Sequence, residues 1–125
     1  MNALLSIKPI YAHSILSGEK KVEFRKASFK RDIKKIYIYS SAPDQQIIGY
    51  FLVKEIVSDT PKNLWNKYHE VGIISKKDFF EYYLNKEIGY SILIDKVFKF
   101  KNPINPKTVF RNFTPPQSFC YCDDI

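Results

Sequence analysis

Cysteine is nearly missing from this chain. Cys120 and Cys122 are the only two in 125 residues, and one residue separates them. Two thiols, with no secretory leader read ahead of them, give no disulfide framework. In a strand they would point the same way, so both are expected to stay reduced and metal-free. Histidine is as scarce. His13 and His69 show no finger-like spacing, and a zinc site would need two ligands beyond the cysteines. No metal or other cofactor is expected. No histidine pair or acidic cluster marks a conventional nuclease. No apolar run reaches membrane-spanning length, so a cytoplasmic protein without a membrane partner is expected. Repeats, low-complexity tracts and linkers are also lacking, and one domain over residues 1–125 is the natural division.

Acidic residues are outnumbered, 13 against 20 Lys and Arg, which leaves a net charge of +7. That excess favours a polyanionic partner such as RNA, DNA or a nucleotide, although a lysine-rich solvated surface produces the same balance. There is no arginine-rich tail, so the fold must build any such surface. Hydrophobic content of 45% with 26% charge is globular, and 16% aromatics favour a β-rich fold.

Periodicity divides the chain into short elements. Residues 2–8, "NALLSIK", alternate as a strand. Pro9 opens a short helix with Ala12, Ile15 and Leu16 as its apolar stripe, and Gly18 ends it. Residues 21–26 and 35–41 read as strands. Residues 46–59 read as a long bent strand, with Gly49 a candidate bulge. Thr60 and Pro61 cap and begin a helix through Tyr68, with Leu64, Trp65 and Tyr68 inward. Ser75 and Asp78 cap another over 76–85, with Phe79, Tyr82 and Tyr83 inward. Residues 89–100 form a further strand, "NPINPK" a proline-broken connection, and "PPQSFCYC" a short last strand. Without regular β-α alternation a doubly wound parallel sheet is not expected. The expected class is α+β and β-rich: a small, curled, mostly antiparallel β-barrel with flanking short helices.

The segment "GEKKVEFRK" (18–26) is the most informative. In a strand, Val22 and Phe24 face one way while Glu23 and Arg25 face the other. Taken alone, Lys20 and Lys21 would be solvated lysines, and Glu23 with Arg25 an ion pair worth little if exposed.

The stretch "SIKPIYAHSILSGEKKVEFRK" (6–26) resembles the opening of ASCH domains, members of the PUA-like superfamily. Their signature of strand, helix and Gly-x-Lys-x-x-Glu-x-Arg falls here on Gly18, Lys20, Glu23 and Arg25. "TPPQSFCY" (114–121) resembles the Pro-Pro-Gln-Ser-Phe-x-Tyr close of a bacterial, archaeal and phage subgroup, and "GYSILIDKVFKF" followed by "NPI" also matches it. The resemblance spans nearly the whole chain. It implies a small PUA-like barrel, a cleft beside the Gly-x-Lys motif and a role with RNA or nucleotides.

On that basis the cleft is expected to hold single-stranded RNA or a nucleobase, lined by Ser6, Lys8, Lys20, Glu23, Arg25, Ser40, Gln117 and Ser118. A lysine binds phosphate as a point charge. A carboxylate accepts from an exocyclic base amine. Arg25 can hold Glu23 in place, while Gln117 and Ser118 suit a base edge. Ser41 is a further candidate beside Ser40, and Tyr37, Tyr39, Tyr50 and Tyr90 are candidates for base stacking. A second reading is an enzyme on RNA or modified nucleosides, with Lys20 and Glu23 catalytic. Some ASCH relatives deacylate acetylcytidine with a lysine, a threonine and a glutamate. Lys20 matches the lysine, but Glu23 occupies the threonine position, and Glu81 or Glu87 would have to be the later carboxylate. A third reading is a regulatory interaction domain. Protein partner and oligomeric state are left open by the sequence.

Overall fold

A computed structural model describes residues 1–125. The elements run β1 (Asn2–Ile7), α1 (Pro9–Leu16), β2 (Val22–Arg25), β3 (Lys35–Ser40), β4 (Gln46–Asp59), α2 (Pro61–Gly72), α3 (Lys76–Tyr82), β5 (Gly89–Ile104) and β6 (Phe119–Cys122). A single 3-10 turn, Pro106–Thr108, precedes β6. No helix is long and apolar enough to cross a membrane.

All six strands form one sheet in the order β2-β5-β4-β3-β1-β6. Only β1 and β3 pair in parallel, and the other four pairings are antiparallel. The right-handed twist of the strands, sharpened by register shifts in β4 and β5, curls this mixed sheet into a half-barrel. Gly49 sits at one such shift. A Cβ there would lie 2.4 Å from the Phe98 carbonyl oxygen, so only glycine permits the approach.

Three apolar clusters hold the sheet and helices together. Inside the curl, Ala3, Leu5, Ile36, Ile38 and Phe51 pack against Ala12 and Ile15 of α1. On the outer face, Leu4, Tyr37, Tyr39, Ile47 and Cys122 gather under Phe110 and Phe113. The third cluster joins Val22 and Phe24 of β2 to Leu64, Phe79 and Tyr83 of the helices. Val22 and Phe24 thus bind the edge strand to α2 and α3 rather than to the interior of the curl.

The element boundaries follow from local chemistry. Thr60 caps α2 by accepting from the Asn63 N–H at 3.3 Å, and Pro61 takes the first helical position. This helix runs past the expected Tyr68 to Gly72, because nothing between those residues breaks it, and Ile73 ends it at φ 48°. Ser75 Oγ accepts from the Asp78 N–H, capping α3, which closes at Tyr82 rather than residue 85. β5 continues through Pro103 to Ile104, where Ile104 pairs with Ile47, so "NPI" is strand rather than connection. β6 starts only at Phe119 and leaves the "PPQS" of the closing motif outside the sheet. The chain's ends meet: Asn2 Nδ2 donates to Asp124 Oδ1 at 2.7 Å, and β1 pairs with β6.

Candidate functional site

One cleft of about 870 Å³ opens between the end of the half-barrel and the α2–α3 pair. The sheet side contributes Ser6, Lys8, Tyr11 and Ser41. β2 and the turns around it contribute Lys20, Glu23, Phe24, Arg25 and Lys26. The α3 side contributes Ile74, Asp78, Glu81 and Tyr82, and the approach to β6 contributes Gln117 and Ser118.

The floor is a buried charge chain. Lys20 is 2% exposed and Glu23 is 6% exposed. The Lys20 ammonium donates to the Gly72 carbonyl at the C-terminal end of α2, while the Lys21 N–H donates to Val71 O at 2.9 Å. A helix C-terminus carries unsatisfied carbonyls and partial negative charge, so a cation is favoured there. The ammonium also lies 5.1 Å from the Tyr11 ring centre, 5.2 Å from that of Phe24 and 4.0 Å from Glu23 Oε1. Burial lowers the Lys20 pKa below its ordinary value, and the Glu23 carboxylate opposes that shift only in part.

Arg25 organises the other side of Glu23. Its Nη1 donates to Glu23 Oε2 at 3.0 Å, and its Nη2 donates to Ser118 Oγ at 2.8 Å and Ser118 O at 3.3 Å. Ser118 O also accepts from the Ser6 N–H at 3.0 Å. Arg25 therefore ties the edge strand β2 to the chain entering β6, spanning the open side of the half-barrel. Its Nε is buried with no protein acceptor.

Floor and walls together carry four cations, Lys8, Lys20, Arg25 and Lys26, and three acids, Glu23, Asp78 and Glu81. The cleft is mixed in charge rather than uniformly basic. Lys26 Nζ lies 4.5 Å from the Tyr82 ring centre. Burial holds the Tyr82 and Tyr11 phenols above their ordinary pKa, so both rings line the cleft as neutral donors. No group of three or more His, Cys, Asp or Glu gathers in a form that would hold a metal ion.

The profile of a domain of unknown function, DUF365, matches residues 5–112. The chain belongs to the DUF365 family. This DUF365 chain is 29% identical over 126 aligned residues to a protein of Zymomonas mobilis subsp. mobilis named "ASCH domain-containing ribonuclease", covering 95% of this chain and 82% of that one. The crystal structure of ASCH from Zymomonas mobilis superposes with a TM-score of 0.91 at 28% identity, covering 98% of this chain and 87% of that one. The fold is thus ASCH-like. Two Ureaplasma parvum proteins match over part of their length. This chain spans 13% of one named ATP synthase subunit alpha, at 29% identity, and 32% of one named large ribosomal subunit protein uL22, at 27% identity.

In this DUF365 chain the expected residues Ser6, Lys8, Lys20, Glu23, Arg25, Gln117 and Ser118 all line the cleft. Ser40 does not: it is fully buried in β3, its hydroxyl donates to Asp44 Oδ2 at 2.8 Å, and its neighbour Ser41 reaches the cleft instead. Lys20, which taken alone would be a solvated lysine, is instead part of the buried floor of the cleft. Of the two later carboxylates, Glu81 lines the cleft and Glu87 does not. Tyr37, Tyr39, Tyr50 and Tyr90 lie outside it. The first three belong to the outer-face cluster, because strand parity turns them away from the curl. The aromatics that line the cleft with Phe24 are Tyr11 and Tyr82. A helical pattern was available for Tyr82: once Phe79 and Tyr83 face inward, Asp78, Glu81 and Tyr82 share the adjoining stripe.

Proposed function

We propose that this cleft binds an unpaired RNA nucleotide, with the base seated over Glu23 and Arg25 and the phosphates toward Lys8 and Lys26. The observation that carries the reading is the buried Lys20–Glu23–Arg25–Ser118 chain at the floor of an open cleft. A carboxylate fixed by two cations can accept from an exocyclic amine without reorganising, and Gln117 and Ser118 add neutral groups suited to a base edge. Tyr11 and Tyr82 offer faces on which a base could stack. The mixed charge of the lining suits one nucleotide better than a long phosphate backbone. The ribonuclease name of the Zymomonas relative supports RNA as the partner class. The reading treats residues 1–125 as one domain acting in the cytoplasm, and it calls for no cofactor.

A second reading is RNA cleavage at the same site. Its support is Lys20, whose lowered pKa makes a neutral amine more accessible as a proton acceptor beside Arg25, a fixed cation for phosphate. Titration of labelled single-stranded RNA against the protein, with Glu23→Gln and Arg25→Ala as comparisons, tests the first reading. Affinity should fall at least tenfold in both variants and weaken with salt. Equal affinity in all three proteins would refute it. Product formation that wild type shows and Lys20→Arg lacks, with RNA affinity retained, would establish the second.

A further inference from the structure

The outer face of the half-barrel carries a row of aromatics that the cleft does not use. Tyr37, Tyr50 and Phe98 are cross-strand neighbours on β3, β4 and β5. The Tyr50 and Phe98 rings are stacked, with centres 4.7 Å apart and planes 18° from parallel, and Tyr37 meets Tyr50 edge-on at 5.7 Å. Phe110 and Phe113 cover the neighbouring part of this face, with Phe113 5.3 Å from Tyr39. The cover does not extend over Phe98, which remains 40% exposed. Cations border the row. Lys35 Nζ lies 4.8 Å from the Tyr50 ring centre and 5.6 Å from that of Tyr37, and it is ion-paired with Asp124 Oδ1 at 3.1 Å. Lys96 is exposed two residues before Phe98.

A parallel aromatic pair with a partly exposed outer ring, near the exposed Lys96, offers a stacking face for an unpaired base and a cation for its phosphate. The exposed Lys96 and the net charge of +7 favour a polyanion over an uncharged apolar partner. We infer that the Tyr50–Phe98 face is a second contact surface for single-stranded RNA, stacking a base of the strand whose other nucleotide occupies the cleft. The inference rests on the RNA reading of the cleft. It adds that the partner is a chain of several nucleotides, held at two places, rather than a free nucleotide.

The test is fluorescence anisotropy with a labelled dinucleotide and a labelled dodecanucleotide of unpaired RNA. The wild-type protein should bind the longer RNA more tightly. Phe98→Ala should erase that gain, roughly ten- to a hundredfold, and leave dinucleotide affinity unchanged. Because Phe98 is partly exposed, thermal melting of the variant should show it folded. Phe98→Trp should keep the gain, and the long RNA should quench the new indole. If wild type binds both RNAs equally, or Phe98→Ala keeps the full gain, the second surface is refuted while the cleft reading stands. A Phe98→Ala variant that keeps the gain but loses a concentration-dependent dimer would assign the face to a second copy of this chain and refute the inference. Failure of wild type to bind either RNA would refute both readings.

Discussion

Replacing Lys20 separates a buried structural cation from a surface lysine. Lys20→Ala deletes three methylenes that lie 2% exposed among Tyr11, Phe24 and Glu23. At about 0.8 kcal/mol per buried methylene, that costs roughly 2.4 kcal/mol. The Gly72 carbonyl also loses its donor, worth about 1 kcal/mol more. Releasing a poorly solvated ammonium returns part of this, and Glu23 keeps Arg25 as a partner. The net expectation is about 2–3 kcal/mol, or a melting temperature lower by roughly 8–12 °C at this chain length. Lys20→Met keeps most of the stem and should cost about 1 kcal/mol or less. Urea unfolding at neutral pH measures both, with an unchanged m-value as the sign of an intact fold. Burial lowers the folded pKa of Lys20 below its ordinary 10.5, so between those two values the folded chain binds fewer protons than the unfolded one. The contribution of this group to stability therefore rises with pH across that window, and Lys20→Met should lack that rise. A loss below about 0.5 kcal/mol for Lys20→Ala, or a larger loss for Met than for Ala, would refute the burial argument.

Gly72→Ala would set a Cβ 2.5 Å from the Phe24 ring, so Phe24 must move and the cleft with it; urea unfolding should show a loss of about 1–3 kcal/mol, accompanied by weaker RNA binding. Thr60→Ala removes the cap on the Asn63 N–H and should cost about 1 kcal/mol by the same measurement, with RNA affinity unchanged. Burial pushes the Cys122 thiol up from 9.0 to about 11, so native protein should react slowly with a disulfide reagent at pH 8, and protein in urea quickly at both cysteines. For the same reason the Cys122 contribution to stability is complete below about pH 9 and is lost as the pH rises toward 11, a loss that Cys122→Ala should reduce in alkaline urea unfolding.

Local chemistry made much of this architecture readable. The Pro9 start, the Thr60–Pro61 and Ser75 caps and the Gly49 shift are written in single residues whose backbone demands are strong. Strand parity placed Glu23 and Arg25 together, and the resemblance put Gln117 and Ser118 near them. What parity could not supply was the depth of Lys20. Its burial depends on α2 running four residues beyond Tyr68, which brings the Gly72 carbonyl over the strand. The strand tyrosines lie outside the cleft for a related reason. Alternation says that Tyr37 and Tyr39 share a face, but only the curl decides whether that face is concave. Ser40 and Ser41 differ by one residue at a strand end, where the chain turns and parity lapses.

The first and last strands of this fold lie side by side, and Asn2 touches Asp124 across them. A chain whose two ends leave at one point behaves, topologically, as a closed loop. It can be spliced into a surface turn of a host protein while spreading that turn by little more than a strand spacing. The same geometry permits a circular permutant, with a short linker across the old ends and new ends in the turn at residues 84–88, clear of every residue on the cleft floor. Such a permutant would turn the Arg25–Ser118 tie from a contact between distant parts of the chain into one between segments joined through the linker.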